Sequence, residues 1–222
     1  LCLMHVHVST SVDYSKCYPS SYFGKEDVLF DLAYFEKYFL EHIDIIYEGP
    51  ALKYEFEKMA QRVEDSHFVG FMYRDFQSRN IMVCEDGELC FIDFQGARKG
   101  PCVYDAISLL YQAKLGLTAD QRNEMMEYYF FRIKATCGIE SSALISDKDA
   151  VLPVRLLQVL GAYGRRGILE RKPHFVSSID PAIDNLSELL HLDKFSDNYP
   201  QLTTILDQII QSKEAILCQI QD

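Results

Sequence analysis

The sequence Tyr73-Arg74-Asp75-Phe76-Gln77-Ser78-Arg79-Asn80 leads directly into two short apolar runs, residues 81–84 and 89–92. The residues between the runs are Glu-Asp-Gly-Glu, and an Asp-Gly pair between two apolar runs is a strong signal for a β-hairpin. Asp93 follows the second run. The sequence therefore predicts that the polar stretch and Asp93 lie at the same end of one small hairpin.

Three side chains in this segment could carry chemistry, namely Asp75, Asn80 and Asp93. Phosphoryl transfer needs a carboxylate that orients a hydroxyl group and accepts its proton, together with oxygen ligands for magnesium. An Asp followed five residues later by an Asn is common, and such residues often only cap turns. Their placement at one end of a hairpin favours the catalytic interpretation, with turn capping as the alternative.

The rest of the chain is predicted to be mainly helical, so the expected fold class is mainly α with a small β-hairpin (α+β). After Asp93 we expect a loop through Gly96, Gly100 and Pro101. Asp180 or Ser178 is expected to start a helix, because proline at position 181 suits a first turn. The helices predicted from apolar spacing span residues 28–42, 51–63, 105–113, 119–136, 152–163, 182–190 and 202–220.

Composition limits the possible classes of function. Hydrophobic residues make up 48% of the 222 residues and charged residues 25%, which is typical of a globular domain and excludes intrinsic disorder. The formal net charge of -11 argues against nucleic-acid binding. No apolar stretch is long enough to cross a membrane and no signal sequence opens the chain, so we expect no membrane partner and a cytoplasmic location.

The seven cysteines are scattered and lack the CxxC spacing of a zinc site, so we expect reduced thiols. Cys84 and Cys90 flank the predicted turn. With a two-residue loop, Cys84 would face Leu89 and Cys90 would face Val83, so the two cysteines are not expected to be direct partners.

Residues 3–8 alternate apolar residues with His5 and His7, which predicts a short strand or the end of a helix. Two histidines on one face of a strand could bind a metal ion, but no nearby Cys, Asp or Glu completes a ligand set. A solvated edge is the favoured interpretation.

Five segments occur in order along the chain: YRDFQSRN (73–80), FIDFQGARKGP (91–101), YDAISLL (104–110), LQVLGAYG (157–164) and ERKPHF (170–175). Together they resemble the aminoglycoside phosphotransferase and choline kinase family, whose members are relatives of the protein kinases with a first loop of the form H-x-D-x-x-x-x-N. The resemblance is closest to a bacterial branch that includes kinases of cell-wall amino sugars, and it spans residues 13–190.

The resemblance implies a catalytic loop at residues 73–80 and a metal loop at residues 92–96, with ATP and Mg²⁺ as cofactors. Asp75 corresponds to the catalytic base, and Asn80 and Asp93 correspond to the magnesium ligands. Tyr73 replaces the histidine of the family and is expected to pack under the loop. The further residues expected to contribute are Arg74 and Asp105, which support the loop, and Gln77 and Arg79, which contact the substrate.

Kinases of this type also have an N-terminal lobe with a strand lysine and a Gly-rich loop that cover the nucleotide. The sequence before Tyr73 has neither, and the glycines at 161, 164 and 167 are predicted instead to end a helix with close packing. We therefore expect residues 1–222 to form a single C-terminal lobe of a protein-kinase-like fold. The N-terminal lobe would belong to the same polypeptide, and the chain alone would be inactive; a natural protein made of one lobe is the alternative.

A basic window, residues 151–180, contrasts with the acidic chain, since it holds five basic residues against two acidic ones. Arg165 and Arg166 in this window are expected to contact an anionic or neutral part of the substrate. A solvated helix end whose cations favour the negative end of the helix dipole is the alternative interpretation.

The expected activity is transfer of phosphate from ATP to the hydroxyl group of a small molecule. The acceptor is expected to be a sugar or amino sugar resembling N-acetylmuramate or N-acetylglucosamine. The alternatives are an aminoglycoside or choline-type acceptor, or a non-catalytic module that binds a ligand or a protein. The apolar stripe of residues 202–220 is expected to lie in the core, although a homodimer is also possible.

Overall fold

The computed structural model describes residues 1–221 and is mostly helical, with two small antiparallel sheets, in agreement with the predicted fold class. The helices are α1 (Cys2–His7), α2 (Lys25–Tyr38), α3 (Gly49–Glu64), α4 (Val103–Leu110), α5 (Ala119–Cys137), α6 (Ser141–Tyr163), α7 (Pro173–Leu190), α8 (Phe195–Asn198), α9 (Pro200–Gln211) and α10 (Lys213–Gln221). The strands are β1 (Val69–Met72), β2 (Ile81–Val83), β3 (Leu89–Phe91) and β4 (Arg98–Pro101).

The chain divides into two compact units. The first unit combines residues 1–24 with residues 65–151 and contains α1, all four strands, α4, α5 and the first half of α6. The second unit combines residues 25–64 with the chain from residue 152 onward. The interpretation of residues 1–222 as a single kinase-like lobe stays a prediction.

The first unit holds a strand that the sequence does not predict. β4 pairs antiparallel with β1, from Val69 opposite Pro101 to Met72 opposite Arg98. Gly and Pro, and to a lesser degree Lys, have low strand propensity, so the pairing with β1 decides the conformation of this segment. Arg98 is nearly fully buried, and its guanidinium lies 5.5 Å from the centre of the Phe23 ring.

The second sheet is the predicted hairpin of β2 and β3, with a different turn. The Gly87 N–H donates to the Cys84 carbonyl at 2.9 Å, and the Cys84 N–H donates to the Glu88 carbonyl at 2.8 Å. The loop therefore has three residues, and Gly87 has a positive φ of 84°, as the last loop position requires. The register is one residue away from the expected one, because Cys90 lies opposite Met82.

The N-terminal segment is the helix α1 and not a strand, so His5 and His7 do not share a strand face. His5 is buried and His7 is exposed. The prediction of a solvated edge is therefore wrong for His5. Met4 of α1 and Val8 just after it are partly buried. They pack against a small hydrophobic cluster of the first unit, which consists of Phe71, Tyr73, Phe76 and Ala97.

In the second unit α2 packs against α3, and α3 also anchors α9. The buried Glu55 of α3 accepts hydrogen bonds from the backbone N–H groups of Gln201 and Leu202, at 2.8 and 2.7 Å. A carboxylate at a helix N-terminus satisfies orphan donors and favours the positive end of the dipole. Four apolar residues of α9 are buried, as expected, namely Leu202, Ile205, Leu206 and Ile209. The predicted helix 202–220 is divided at Ser212 into α9 and α10.

Two helices are longer than the sequence predicts. α7 begins with Pro173 in its first turn, so Pro181 lies inside the helix and neither Ser178 nor Asp180 starts it. α6 begins at Ser141 and contains Pro153. A short π-helical segment, Gly164–Leu169, follows α6. A Cβ atom at Gly164 would lie 2.0 Å from the Tyr38 carbonyl oxygen, which confirms the expected close packing of this helix end.

Candidate active site

The loop of residues 73–80 is fixed by a buried carboxylate in the first turn of α4. Asp105 is fully buried, and it accepts hydrogen bonds from the backbone N–H groups of Tyr73 at 2.6 Å and Arg74 at 2.8 Å. Hydrogen bonds to an ionised acceptor are stronger than neutral ones. The residue therefore holds the chain at the point where it leaves β1.

Arg74 has a positive φ of 73°, an unfavourable conformation for a residue with a side chain. Next to it, the Asp75 N–H donates to the Tyr73 carbonyl at 3.0 Å. The Arg74 side chain lies over the Phe23 ring, 5.1 Å from its centre. The chain therefore turns sharply between Tyr73 and Asp75, and the two hydrogen bonds to Asp105 stabilise this turn.

The Tyr73 side chain is buried beneath the loop and connects it to the residues after β3. Its hydroxyl donates to the Ile92 carbonyl. The pKa of the Tyr73 phenol is raised, mainly by burial and further by the carboxylates of Asp93, Asp105 and Asp75. The phenol thus lies within electrostatic range of three carboxylates that the sequence places far apart.

Asn80 connects the loop to both sides of the hairpin. It is buried, and its side-chain Nδ2 donates to the Asp75 backbone carbonyl at 2.8 Å. Its own backbone carbonyl accepts a hydrogen bond from the Ile92 N–H at 3.1 Å. Since Nδ2 is engaged, Oδ1 is the atom of the amide that is able to bind a cation.

Asp93 lies two residues beyond β3 with a positive φ of 70°, and its side chain is exposed. Asp75 is half-buried. The hydrogen bonds that join Asn80 to Asp75 and to Ile92 bring all three residues to the open end of the hairpin. The arrangement places two carboxylates and one side-chain amide at this end of the hairpin.

Among the described residues, no group of three or more His, Cys, Asp or Glu side chains could hold a metal ion. A pair made of Asn80 and Asp93 supplies only two oxygen ligands. This donor set suits Mg²⁺, which is usually bound through one or two side chains together with waters and substrate phosphates.

The family model that describes phosphotransferase enzymes matches residues 18–137, more than half of the chain. The chain belongs to the phosphotransferase enzyme family. The matched range includes the loop 73–80, Asp93 and Asp105. No curated protein shows significant similarity to this phosphotransferase. No helix in the described part of the chain has the length and hydropathy needed to cross a membrane.

Two further residues of the phosphotransferase loop were expected to contact substrate. Gln77 is half-buried, and its carbonyl accepts a hydrogen bond from the Asn80 N–H at 2.9 Å. Arg79 is exposed in the short 3-10 turn Ser78–Asn80. The Ser78 N–H donates to the Gln112 side-chain oxygen at 2.9 Å, a support beyond the end of α4 that the sequence does not reveal.

Arg165 and Arg166 belong to the second unit, and both are exposed. Arg165 donates to the Tyr34 hydroxyl at 3.2 Å and lies 3.5 Å from a Glu170 carboxylate oxygen. Arg166 lies over the Phe175 ring, 5.2 Å from its centre. Glu170 therefore neutralises part of the basic window.

His5 is the main residue of the site that sequence reasoning missed. Its Nε2 lies 3.0 Å from the Asp105 carboxylate, and its Nδ1 lies 2.9 Å from the Tyr129 hydroxyl. Tyr129 is buried, and burial raises the pKa of its phenol well above the ordinary value. The only signal in the sequence was a histidine in an apolar segment, which does not identify a partner 100 residues away.

Proposed function

We propose that this phosphotransferase transfers the γ-phosphoryl group of ATP to the hydroxyl group of a small molecule, with Asp75 as the catalytic base. The observation that supports this proposal is the hydrogen bond from the Asn80 side chain to the Asp75 backbone, which joins the proposed base to a proposed metal ligand. Family membership supports the reaction class.

The role of Asp75 follows from its surroundings. The carboxylate is half-buried, on a turn that Asp105 fixes from below. A carboxylate in this setting can accept a hydrogen bond from the acceptor hydroxyl, orient its oxygen and take its proton as the new bond to phosphorus forms. Orientation is the larger contribution, because phosphoryl transfer requires the attacking and leaving oxygens to be in line.

Asn80 and Asp93 are proposed to hold magnesium through Oδ1 and the carboxylate. A magnesium ion held there would neutralise negative charge on the phosphates of the nucleotide. The exposed Asp93 carboxylate is accessible to a nucleotide, and the buried Asn80 is fixed by Asp75. Because Asp93 is exposed and Asn80 is fixed, we propose that the magnesium site forms fully only when the nucleotide is bound.

The acceptor is proposed to be a sugar or amino sugar whose nitrogen is acetylated and uncharged. The resemblance to kinases of cell-wall amino sugars supports this choice over a cationic aminoglycoside or choline. N-acetylmuramate and N-acetylglucosamine are the representative acceptors.

The nucleotide is expected to bind weakly to this chain alone, because the sequence before Tyr73 contains no Gly-rich loop and no strand lysine. In that part of the chain the structure describes helices, short turns, the strand β1 and a β-bridge at Tyr22. We propose that a nucleotide-covering lobe of the same polypeptide completes the site in the cytoplasm.

The test measures phosphate transfer from ATP to N-acetylmuramate, N-acetylglucosamine, kanamycin and choline. It uses this chain and any longer natural polypeptide that contains it. Asp75→Asn should lower turnover by about 10²-fold or more without changing the melting temperature. The matched control is Asp44→Asn, which removes the same charge from an exposed site. Turnover by Asp75→Asn equal to that of the control would exclude Asp75 as the base. Binding of a sugar without turnover would favour a non-catalytic module.

A further inference from the structure

Two cysteine thiols on the hairpin lie in direct contact. The Sγ atoms of Cys84 and Cys90 are 2.7 Å apart. A disulfide bond is about 2.05 Å long, so the two sulfurs need to approach by only roughly 0.7 Å to bond. Neither residue has a part in the proposed phosphoryl transfer.

We propose that Cys84 and Cys90 form a reversible dithiol–disulfide site, oxidised by low-molecular-weight disulfides such as glutathione disulfide. The site lies on the turn of the hairpin. It would exchange with the thiol pool independently of phosphoryl transfer.

The geometry of the turn brings the sulfurs together. Cys90 lies opposite Met82, and the Cys84 N–H bonds to Glu88, so Cys84 and Cys90 are diagonal neighbours on one face of the hairpin. Diagonal side chains interact across an antiparallel pair, and a three-residue loop with a bulge increases the local twist. The two-residue loop expected from the sequence would have separated the thiols onto opposite faces.

The two thiols differ in exposure, so we expect them to react in different steps of the exchange. Cys90 is exposed and Cys84 is half-buried. The pKa of Cys84 is raised, mainly by its contact with Cys90 and further by burial. The exposed Cys90 is therefore the thiol that meets the oxidant first, and the protonated Cys84 can donate a hydrogen bond to a Cys90 thiolate.

The chemistry balances as two consecutive exchanges. The Cys90 thiolate attacks one sulfur of glutathione disulfide, so a mixed disulfide forms and one glutathione thiolate leaves. Cys84 then loses its proton to solvent and attacks the Cys90 sulfur. The S–S bond between Cys84 and Cys90 forms, and the second glutathione leaves as a thiolate. Two protein thiols are oxidised, and one glutathione disulfide is reduced to two glutathione molecules.

A metal site is a weaker interpretation of the same thiols. In the part of the chain that the structure describes, no third Cys, His, Asp or Glu joins a set that could hold a metal ion.

Cys137 provides an internal comparison. It is also exposed, but its Sγ contacts the Ile133 carbonyl, at 3.1 Å, and not a second thiol. An isolated thiol stops at the mixed disulfide, whereas a paired thiol continues to the intramolecular bond.

The test is oxidation of the reduced chain in glutathione buffers of increasing disulfide content, followed by alkylation and tryptic mapping. Cleavage after Arg79 and Arg98 places both cysteines in one peptide, and Cys137 lies in another. We expect the peptide 80–98 to lose two hydrogen atoms, about 2 Da, and to resist alkylation until dithiothreitol is added. Cys137 should carry glutathione under the same conditions.

Two variants separate the steps, with circular dichroism as the check of folding. Cys84→Ser should accumulate glutathione on Cys90, because the resolving thiol is absent. Cys90→Ser should react more slowly at Cys84, since Cys84 is less exposed. The proposal is overturned if both thiols of wild-type peptide 80–98 are alkylated, or carry one glutathione each, in buffers that modify Cys137. A bond from Cys84 or Cys90 to another cysteine would also overturn it.

Discussion

Replacement of Asp105 by asparagine should destabilise the first unit, because one amide cannot replace both carboxylate oxygens. In the wild type, Oδ2 accepts from the Tyr73 N–H and contacts His5, and Oδ1 accepts from the Arg74 N–H. Asparagine has one oxygen, so in either orientation its NH₂ group faces a backbone N–H donor. One buried N–H is then left without an acceptor.

The expected loss in the free energy of unfolding can be summed from these contacts. A buried donor without a partner costs about 1–3 kcal/mol, and each remaining bond loses about 1 kcal/mol when its acceptor becomes neutral. The sum is about 3 kcal/mol. In a chain of this size, 1 kcal/mol changes the melting temperature by about 2–4 °C. Asp105→Asn should therefore melt about 6–12 °C below the wild type.

The assay is thermal unfolding followed by circular dichroism, with hydrogen exchange of the Tyr73 and Arg74 amides as the local measurement. Asp44→Asn is the control, since it removes a charge from an exposed position and should leave the melting temperature unchanged. Exchange of the two amides should accelerate in Asp105→Asn alone. If Asp105→Asn melts within 2 °C of the control, the carboxylate does not hold the loop and the reasoning fails.

Two further predictions concern packing and pH. Gly164→Ala places a methyl group 2.0 Å from the backbone oxygen of Tyr38, so it should lower the free energy of unfolding, measured in urea, by about 1–3 kcal/mol. The comparison is Gly116→Ala, which lies in open space with a positive φ of 68° and therefore measures backbone strain alone. Burial raises the pKa of Tyr129 well above 10.0 in the folded chain. The Tyr129 phenol therefore ionises at a lower pH in the unfolded chain than in the folded chain, so the free energy of unfolding should decrease as the pH rises above 10. The free energy of unfolding of Tyr129→Phe should decrease less steeply over the same range.

Local sequence was sufficient to predict the helical composition and the hairpin. It was also sufficient to predict that Asp75, Asn80 and Asp93 lie at one end of this hairpin. A polar run, an Asp-Gly turn and an aspartate after the second strand are contiguous features, and their spacing fixes their relative positions. Helix ends were less predictable. Pro181 has the features of a first-turn residue, but Pro173 and the packing of α7 place it inside a helix.

Contacts between distant segments could not be predicted. β4 contains Gly, Pro and two cations, and it forms a strand because β1 lies beside it. His5 binds Asp105 across 100 positions, and no local pattern encodes that pairing. The residues opposite the two cysteines were mispredicted, because one additional loop residue shifts the register and places both thiols on one face.

The most direct test of the proposed site is the magnesium dependence of phosphoryl transfer in Asp93→Asn, measured in a natural polypeptide that contains this chain together with a nucleotide-covering lobe. This substitution keeps the size of an exposed side chain and removes the charge that a divalent cation needs. We expect a melting temperature equal to that of the wild type, a large increase in the magnesium concentration required for half-maximal turnover, and a lower maximal rate. A destabilised variant that retains the wild-type magnesium dependence would contradict the account, because Asp93 would then serve the fold and not the metal.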